Sequence, residues 1–431
     1  MLKRAIACVV VISACGAIWA APLAAEDIPK PQIPADTKKE AQPEADKEKA
    51  VKWAPAVNPK PLSENVKKGL AWLAEHQLKS GAWGQGEESS NMGGGAQLKD
   101  TPSVADTCVG ALALVRSGST PAKGEYAKNL LEAVQFVCGQ IEESDKESLY
   151  VTATRGTRVQ SKLGPYIDTF MASLLLAEVN HQMPDEAGQN RVSTVLDKLL
   201  GKIQKNQKAD GTWGGEGWAT TLQQGMAAKG LNRVAQSGKD VSGPMLARTE
   251  DQARKSFDRP SGKFSMGGSA GVELYGAGSA LSSVDESVKT NQQKEAKVRE
   301  QLQTAKTEPE RAQARATLER FEGAKKDLHD AQAAVIARLD DKQFIAGFGS
   351  NGGEEFLSYM NIGESLVVKG GDAWKSWDKS IGENLNRVQN KDGSWTGHHC
   401  ITGRTFCTSA ALLVLMVDRS PQPIIEKMKG R

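Results

Sequence analysis

Residues 207–213 read Gln-Lys-Ala-Asp-Gly-Thr-Trp, and the phrase returns twice. Residues 77–83 read Gln-Leu-Lys-Ser-Gly-Ala-Trp, and residues 389–395 read Gln-Asn-Lys-Asp-Gly-Ser-Trp. Gln, Gly and Trp keep the same register in all three, so one structural unit is used several times. The unit is clearest in its first copy. Leu62, Val66, Leu70 and Leu73 recur at helical spacing after Ser63, a good N-cap. Gly81 ends that amphipathic helix, a Gly-rich loop follows, and a shorter, more apolar helix starts at Ala105.

Apolar helices of this second kind fall near 105–117, 168–180, 219–232, 271–284, 356–369 and 406–417, six in all. Each follows a more polar helical stretch. Only three pairs keep the Gln-to-Trp phrase; the second keeps Asp168-Thr169, which matches Asp106-Thr107 of the first. The phrase reads as architecture. Gly allows the left-handed turn that ends a helix, Asp-Gly and Ser-Gly are favourable turn chemistry, and the Gln amide can bond exposed helix-end groups beneath the Trp ring. On this reading Gln77, Trp83, Gln207, Trp213, Gln389 and Trp395 are structural.

The ends of the chain read differently. Residues 1–25 have a basic start, an apolar run and a small-residue end, the pattern of a secretory signal peptide. Ile12-Ser13-Ala14-Cys15 also resembles a lipobox, which would place a lipid anchor on Cys15. Either way the chain is expected to be exported, periplasmic or extracellular, with no transmembrane span in the mature protein. Residues 26–61 are rich in Pro, Lys and Glu and too poor in apolar side chains to bury a core, so they read as a disordered tether. The repeat domain then spans 62–420, with a tail at 421–431. The formal charge is +3 over 431 residues, which gives no electrostatic case for nucleic acid.

Residues 285–342 break the rhythm. They are rich in Ala, Glu, Lys, Gln and Arg, with Phe321, Leu328 and Val335 at seven-residue steps and a turn near Pro309. This predicts an antiparallel helical hairpin inserted in the domain, its far end doubling as the fifth outer helix. It is either a solvated brace or an arm for protein contacts.

The repeated Gln…Gly-x-Trp phrases resemble the QW repeats of the prenyltransferase and squalene/oxidosqualene cyclase superfamily, over about 62–420 less the hairpin. The resemblance implies an all-α, six-pair α/α toroid with an apolar inner ring, an amphipathic outer ring and a central cavity. Cyclases of that superfamily protonate their substrate with an Asp-x-Asp-Asp motif, and this chain has none; Asp340-Asp341 stands alone in the hairpin. Prenyltransferase β-subunits hold zinc on an Asp-x-Cys pair and a His. Here Asp106 and Cys108 match the pair, with Cys407 and His399 the nearest partners in a closed ring. That set would suit Zn²⁺; otherwise no cofactor is expected. Disulfides are the competing reading of Cys108, Cys138, Cys400 and Cys407, with Cys400 and Cys407 nearest in sequence.

The remaining candidates lie on or beside the apolar helices: Asp106, Asp168, Trp218, Tyr275, Glu355 and Tyr359. Packing or capping is the default for each, and lining a ligand cavity is the sharper reading. Residues 352–361 resemble the thioester stretch of complement-like toroids, but the Cys that the thioester needs is missing, so that reading fails. The resemblance therefore implies a superfamily toroid that binds an apolar small molecule or a partner protein, with an isoprenoid transferase or cyclase acting in the cavity as the alternative.

Overall fold

The computed structural model describes residues 53–89, 98–349 and 351–424. All of them belong to one unit, 48–431. The expected leader, Cys15 and the tether up to residue 52 lie outside the described residues, as do residues 425–431 of the expected tail.

The chain forms an all-α toroid of six helical pairs. Outer helix α1 (Glu64–Glu75) leads to inner α2 (Val104–Arg116), and outer α3 (Ala127–Glu143) leads through a short α4 (Arg158–Leu163) to inner α5 (Ile167–Val179). Outer α6 (Glu186–Lys205) precedes inner α7 (Thr220–Gln236), and outer α8 (Gly243–Lys255) precedes α9 (Glu273–Thr304). Helix α10 (Glu308–Ile336) returns as the fifth outer helix, and a short α11 (Lys342–Ala346) leads to inner α12 (Gly353–Lys369). Outer α13 (Gly371–Val388) and inner α14 (Arg404–Leu415) complete the circle. Each inner helix packs on the next, and α14 packs back on α2, so the ring is closed. Inner helices are buried on nearly every side. Outer ones bury a single stripe, for example Val192, Val195, Leu196, Leu199 and Ile203 of α6.

Three differences from the sequence reading have simple causes. The hairpin does not begin at 285: α9 is one unbroken helix from Glu273, so the fourth inner helix itself runs out into the hairpin. No Pro or Gly separates the two halves, and a helix continues until something stops it. Residues 53–55, within the expected tether, form β1 (Trp53–Pro55). It pairs antiparallel with β4 (Pro421–Pro423) in the expected tail, so those segments join the domain. Three-residue strands carry no readable periodicity. Between them a second small pair forms, β2 (Phe257–Asp258) with β3 (Lys263–Phe264).

The three repeated phrases adopt one geometry. Trp83, Trp213 and Trp395 donate their ring N–H to the carbonyls of Leu73, Ile203 and Leu385 at 2.9, 2.8 and 2.8 Å. Each bonds a carbonyl in the last turn of an outer helix, where intrahelical partners run out. Each Gln amide then reaches the following outer helix: Gln77 donates to Asn129 O at 2.9 Å, Gln207 to Met245 O at 3.3 Å, and Gln389 to Asn65 O at 2.8 Å. The last of these ties the sixth pair to the first. The turn glycines, Gly81, Gly211 and Gly393, have φ of 82°, 85° and 94°. A Cβ there would meet the backbone of the next outer helix, at 2.5 Å from Glu132 O for Gly81 and 2.7 Å from Lys68 O for Gly393.

Gly393→Ala is therefore expected to cost about 2 kcal/mol or more in chemical denaturation, combining the left-handed penalty of about 1–2 kcal/mol with backbone overlap at the ring closure. Gly201→Ala lies at an exposed point of α6 where a Cβ meets nothing within 4 Å. It is expected to stabilise by about 0.5–1 kcal/mol. Equal effects of the two would show that the turn glycines do not carry closure.

Candidate functional site

The two ends of the inner ring differ in chemistry. At the C-terminal end the ring is plugged by buried charge. Arg116, Glu178, Lys229, Arg233, Asp285, Glu286, Lys289 and Glu364 come from five inner helices and are all buried. Arg233 bonds Glu178 at 3.2 Å and Glu286 at 2.8 Å, Arg116 bonds Glu178 at 2.9 Å, and Lys229 pairs with Glu364. Lys289 joins Asp285 at 2.6 Å and Glu286 at 3.0 Å. The β1–β4 ribbon closes this end: Arg233 donates to Pro421 O at 2.9 Å, and Ser420 donates to Glu364 at 2.8 Å. Burial alone would raise the Glu364 carboxyl, but Lys229, Arg116 and Arg233 outweigh it and hold it down at about 2. A balanced, bonded set is what makes such burial tolerable. An apolar chain could not lie here.

The other end is the mouth, where the inner helices begin. Their leading loops are stitched together: Thr221 N–H to Gly268 O at 2.9 Å, Gly353 N–H to Ile401 O at 3.0 Å, and Arg404 N–H to Glu87 O at 3.0 Å. Beneath them lie acids without cations. Glu354 and Glu355 open α12 and are fully buried. Glu355 Oε1 accepts from the Tyr275 hydroxyl at 2.5 Å and from Phe348 N–H at 2.9 Å. Among the described residues its Oε2 has no hydrogen-bond partner, and it lies 3.3 Å from His399 Nε2, out of line for a bond. Glu354 Oε2 accepts from Ile401 N–H at 3.2 Å, and its Oε1 is unpartnered. Both His399 nitrogens and Asn351 Oδ1 are also unpartnered among the described residues. Buried polar groups are nearly always satisfied, so this concentration of free donors and acceptors marks a place built for something else.

Protonation follows from the surroundings. Burial, then repulsion from Glu355, pushes Glu354 up to about 8. Burial also raises Glu355. Burial, then His398 and Lys162, lowers His399 to about 4. At neutral pH the site thus sets a protonated Glu354 and a Glu355 raised by burial beside a neutral imidazole, groups able to give and accept protons. Gly349 and Gly352 flank that imidazole; a Cβ on Gly352 would meet Glu355 Oε2 and His399 Cε1, each at 2.7 Å.

Above the acids the rim is aromatic. Trp218 and Phe348 are 40% and 54% exposed, with ring centres 5.9 Å apart, and Phe348 meets His399 edge-on at 5.2 Å. Trp218 stands just before α7, fixed by Ala219 N–H donating to Lys162 O at 2.7 Å.

Trp218, Tyr275 and Glu355 thus come together at the mouth. Tyr359 is nearby and anchors the loop, donating to Ile345 O at 2.6 Å. Asp168 is a cap: it takes Ala105 N–H at 2.9 Å and the Gln160 amide at 2.8 Å. Asp106 accepts from Ser103 at 2.6 Å and keeps Oδ1 free, and burial raises it to about 7. The zinc set Asp106, Cys108, His399 and Cys407 is not assembled. Cys407 donates to Ile401 O at 3.3 Å, and His399 faces Glu355. Among the described residues no group of three or more His, Cys, Asp or Glu is placed to hold a metal. The disulfide reading is corrected as well, since Cys108, Cys138, Cys400 and Cys407 are buried free thiols. Phe348, His398 and Lys162 were not candidates from sequence; Phe348 and His398 are exposed side chains in loops, and Lys162 is a half-buried lysine near the end of α4.

A scan of protein-family models finds no match, and a search of curated proteins finds none. Similar solved structures include an inactive variant of an α-1,6-mannanase of Salegentibacter sp. HEL1_6 in complex with α-1,6-mannotriose, at 8% identity and a TM-score of 0.48 over 83% of this chain and 98% of that one. A polysaccharide lyase is similar at 12% identity and a TM-score of 0.45, over 83% and 96%. A glycosyl hydrolase of family 88 from Bacteroides vulgatus is similar at 12% and 0.49, over 83% and 99%. These α/α toroids are not of the prenyltransferase/squalene cyclase superfamily, and the expected membership is corrected accordingly. With it falls the expectation of a prenyltransferase- or cyclase-like function. The repeated phrase misled because it encodes helix-end clamps that any closed ring of helical pairs can use. Among the described residues no helix is long and apolar enough to cross a membrane.

Glu354 carries a testable consequence. Its folded pKa lies above its ordinary value of 4.5. Stability from this group is therefore complete below about pH 4.5 and is lost as pH rises toward about 8, because only the folded chain keeps the proton there. Glu354→Gln keeps an acceptor for Ile401 N–H. It is expected to reduce the fall in melting temperature between pH 5 and 8 and to melt higher than the parent at pH 8. An unchanged slope would show the carboxyl to be ionised in the fold.

Proposed function

We propose that the mouth binds a hydroxyl-rich, ring-shaped ligand of the saccharide class and that the buried acids beneath it serve proton transfer to that ligand. The observation that carries this reading is the stacking of two layers at one place. Trp218 and Phe348 offer exposed ring faces suited to the apolar C–H face of a sugar. Directly behind them are Glu354, Glu355 and His399, with unpartnered oxygens and nitrogens suited to its hydroxyls. A purely apolar ligand would leave those groups unsatisfied, at a cost of about 1–3 kcal/mol each. The secretory leader expected at 1–25 suits an exported setting, where such ligands are met.

Binding of a panel of neutral and acidic hexasaccharides, measured by calorimetry, tests the reading, with farnesol as the apolar comparison. Trp218→Ala removes a half-exposed ring and is expected to lower saccharide affinity about tenfold, the effect of about 1.4 kcal/mol of contact, with the melting temperature unchanged. Farnesol binding without saccharide binding would overturn the proposal.

A further inference from the structure

The mouth has a charge as well as a shape. Lys162, near the end of α4, holds its ammonium 5.4 Å from the Trp218 ring centre. It has no carboxylate within ion-pair distance among the described residues. The neighbouring cations are engaged: Arg158 grips Glu88 through two bonds of 2.7 and 3.0 Å, and Arg155 lies over Tyr150 at 3.8 Å. Lys162 therefore stands apart as a rim cation over an aromatic face, with no ion pair among the described residues.

The acids around it do not neutralise it. Glu354 and Glu355 lie nearest in the layer below, and burial keeps the first protonated to about pH 8 and raises the second. Glu87 is taken by Lys99 at 2.9 Å and by Arg404 at 3.5 Å. Glu216, exposed in the turn before Trp218, forms no ion pair with Lys162. His398 is exposed beside His399, ring centres 4.7 Å apart, and brings no negative charge. The rim consequently presents a positive point at the aromatic edge, above a layer in which Glu354 keeps its proton at neutral pH. A neutral sugar would use the rings and leave the ammonium idle.

Resting on the saccharide reading above, we infer that the ligand is an anionic saccharide whose carboxylate or sulfate is received by Lys162 at the Trp218 edge. The ammonium acts as a point charge with rotatable donors, which suits a monodentate contact to either group. Partial shelter by Trp218 strengthens the contact relative to open water.

The test compares three probes on the full chain by calorimetry: an oligogalacturonate, its methyl ester, and a sulfated oligosaccharide of similar length. The acid is expected to bind at least about tenfold tighter than its ester at low salt, with the gap narrowing at high salt as charge is screened. Preference between the first and third probes tells carboxylate from sulfate. Lys162→Gln is expected to bring the acidic probe down to the level of the ester, and Lys162→Arg to retain most of the preference. Equal binding of acid and ester overturns this inference and leaves the saccharide reading standing. An acid preference that Lys162→Gln leaves untouched overturns the assignment of Lys162. No binding of any of the three overturns both.

Discussion

The structure depends on a contact between backbones. At each repeated turn a glycine in the left-handed region lets one outer helix end directly against the body of the next, closer than any side chain would allow. The Gln amide bridges the two, and the Trp ring N–H satisfies the carbonyl left behind. Gln389 to Asn65 then joins the last pair to the first across 324 residues. Where the phrase is missing, charged side chains do the same job. Between α3 and α6, Lys198 caps the end of α3 through Ser144 O at 2.6 Å and Glu142 O at 2.9 Å. Between α8 and the hairpin, Arg254 reaches Asp327 and Asn291 reaches Glu250 at 2.8 Å. The ring thus tolerates loss of the phrase as long as some donor meets each helix end.

Closure makes all inner helices run the same way, and that sorts the charges. Carboxyls sit in first turns at the mouth, as Asp106, Asp168, Glu354 and Glu355. Guanidinium groups gather toward the last turns, as Arg116 and Arg233. This is the sense favoured by the helix dipole. The two ends nevertheless behave in opposite ways. At the plugged end each carboxylate meets a cation, and these cations hold Glu286 and Glu364 well below the ordinary carboxylate range. At the mouth no Lys or Arg forms an ion pair with these acids among the described residues, so burial dominates and raises all four. Two glutamates of α12 show the contrast: cations hold Glu364 down at about 2, and burial raises Glu354 to about 8.

The six pairs were legible because the alternation of amphipathic and apolar helices is periodic and the Gln-to-Trp spacing is fixed. What the repeats could not show was which superfamily used them, since Gln207, Gly211 and Trp213 specify a junction and not a reaction. The plugged end was illegible for another reason. Glu178 in an apolar helix and Arg233 in a mixed one look like ordinary residues until their partners, 55 positions apart, are brought together. A charged residue inside a helix otherwise buried all round was the available clue. At the mouth, Glu355, Tyr275 and Trp218 could be named from their places at helix starts. Their joining could not, because Tyr275 and Glu355 are 80 residues apart and the hairpin lies between them.

Glu355 shows why structure and chemistry are hard to separate here. Its Oε1 is spent on architecture, taking the Tyr275 hydroxyl and Phe348 N–H, and so fixes the aromatic rim to the inner ring. Its Oε2 is left free beside His399, whose side chain is only 12% exposed and forms the path from carboxyl to rim. One side chain therefore sets where Phe348 stands and which proton is available beneath it. Tyr359, bonded to Ile345 O, holds the same loop from the other side. Removing Glu355 would loosen the platform and the acid together. Removing Trp218 would touch only the platform, which is why the rim, and not the acid, is where ligand binding can be read separately from the fold.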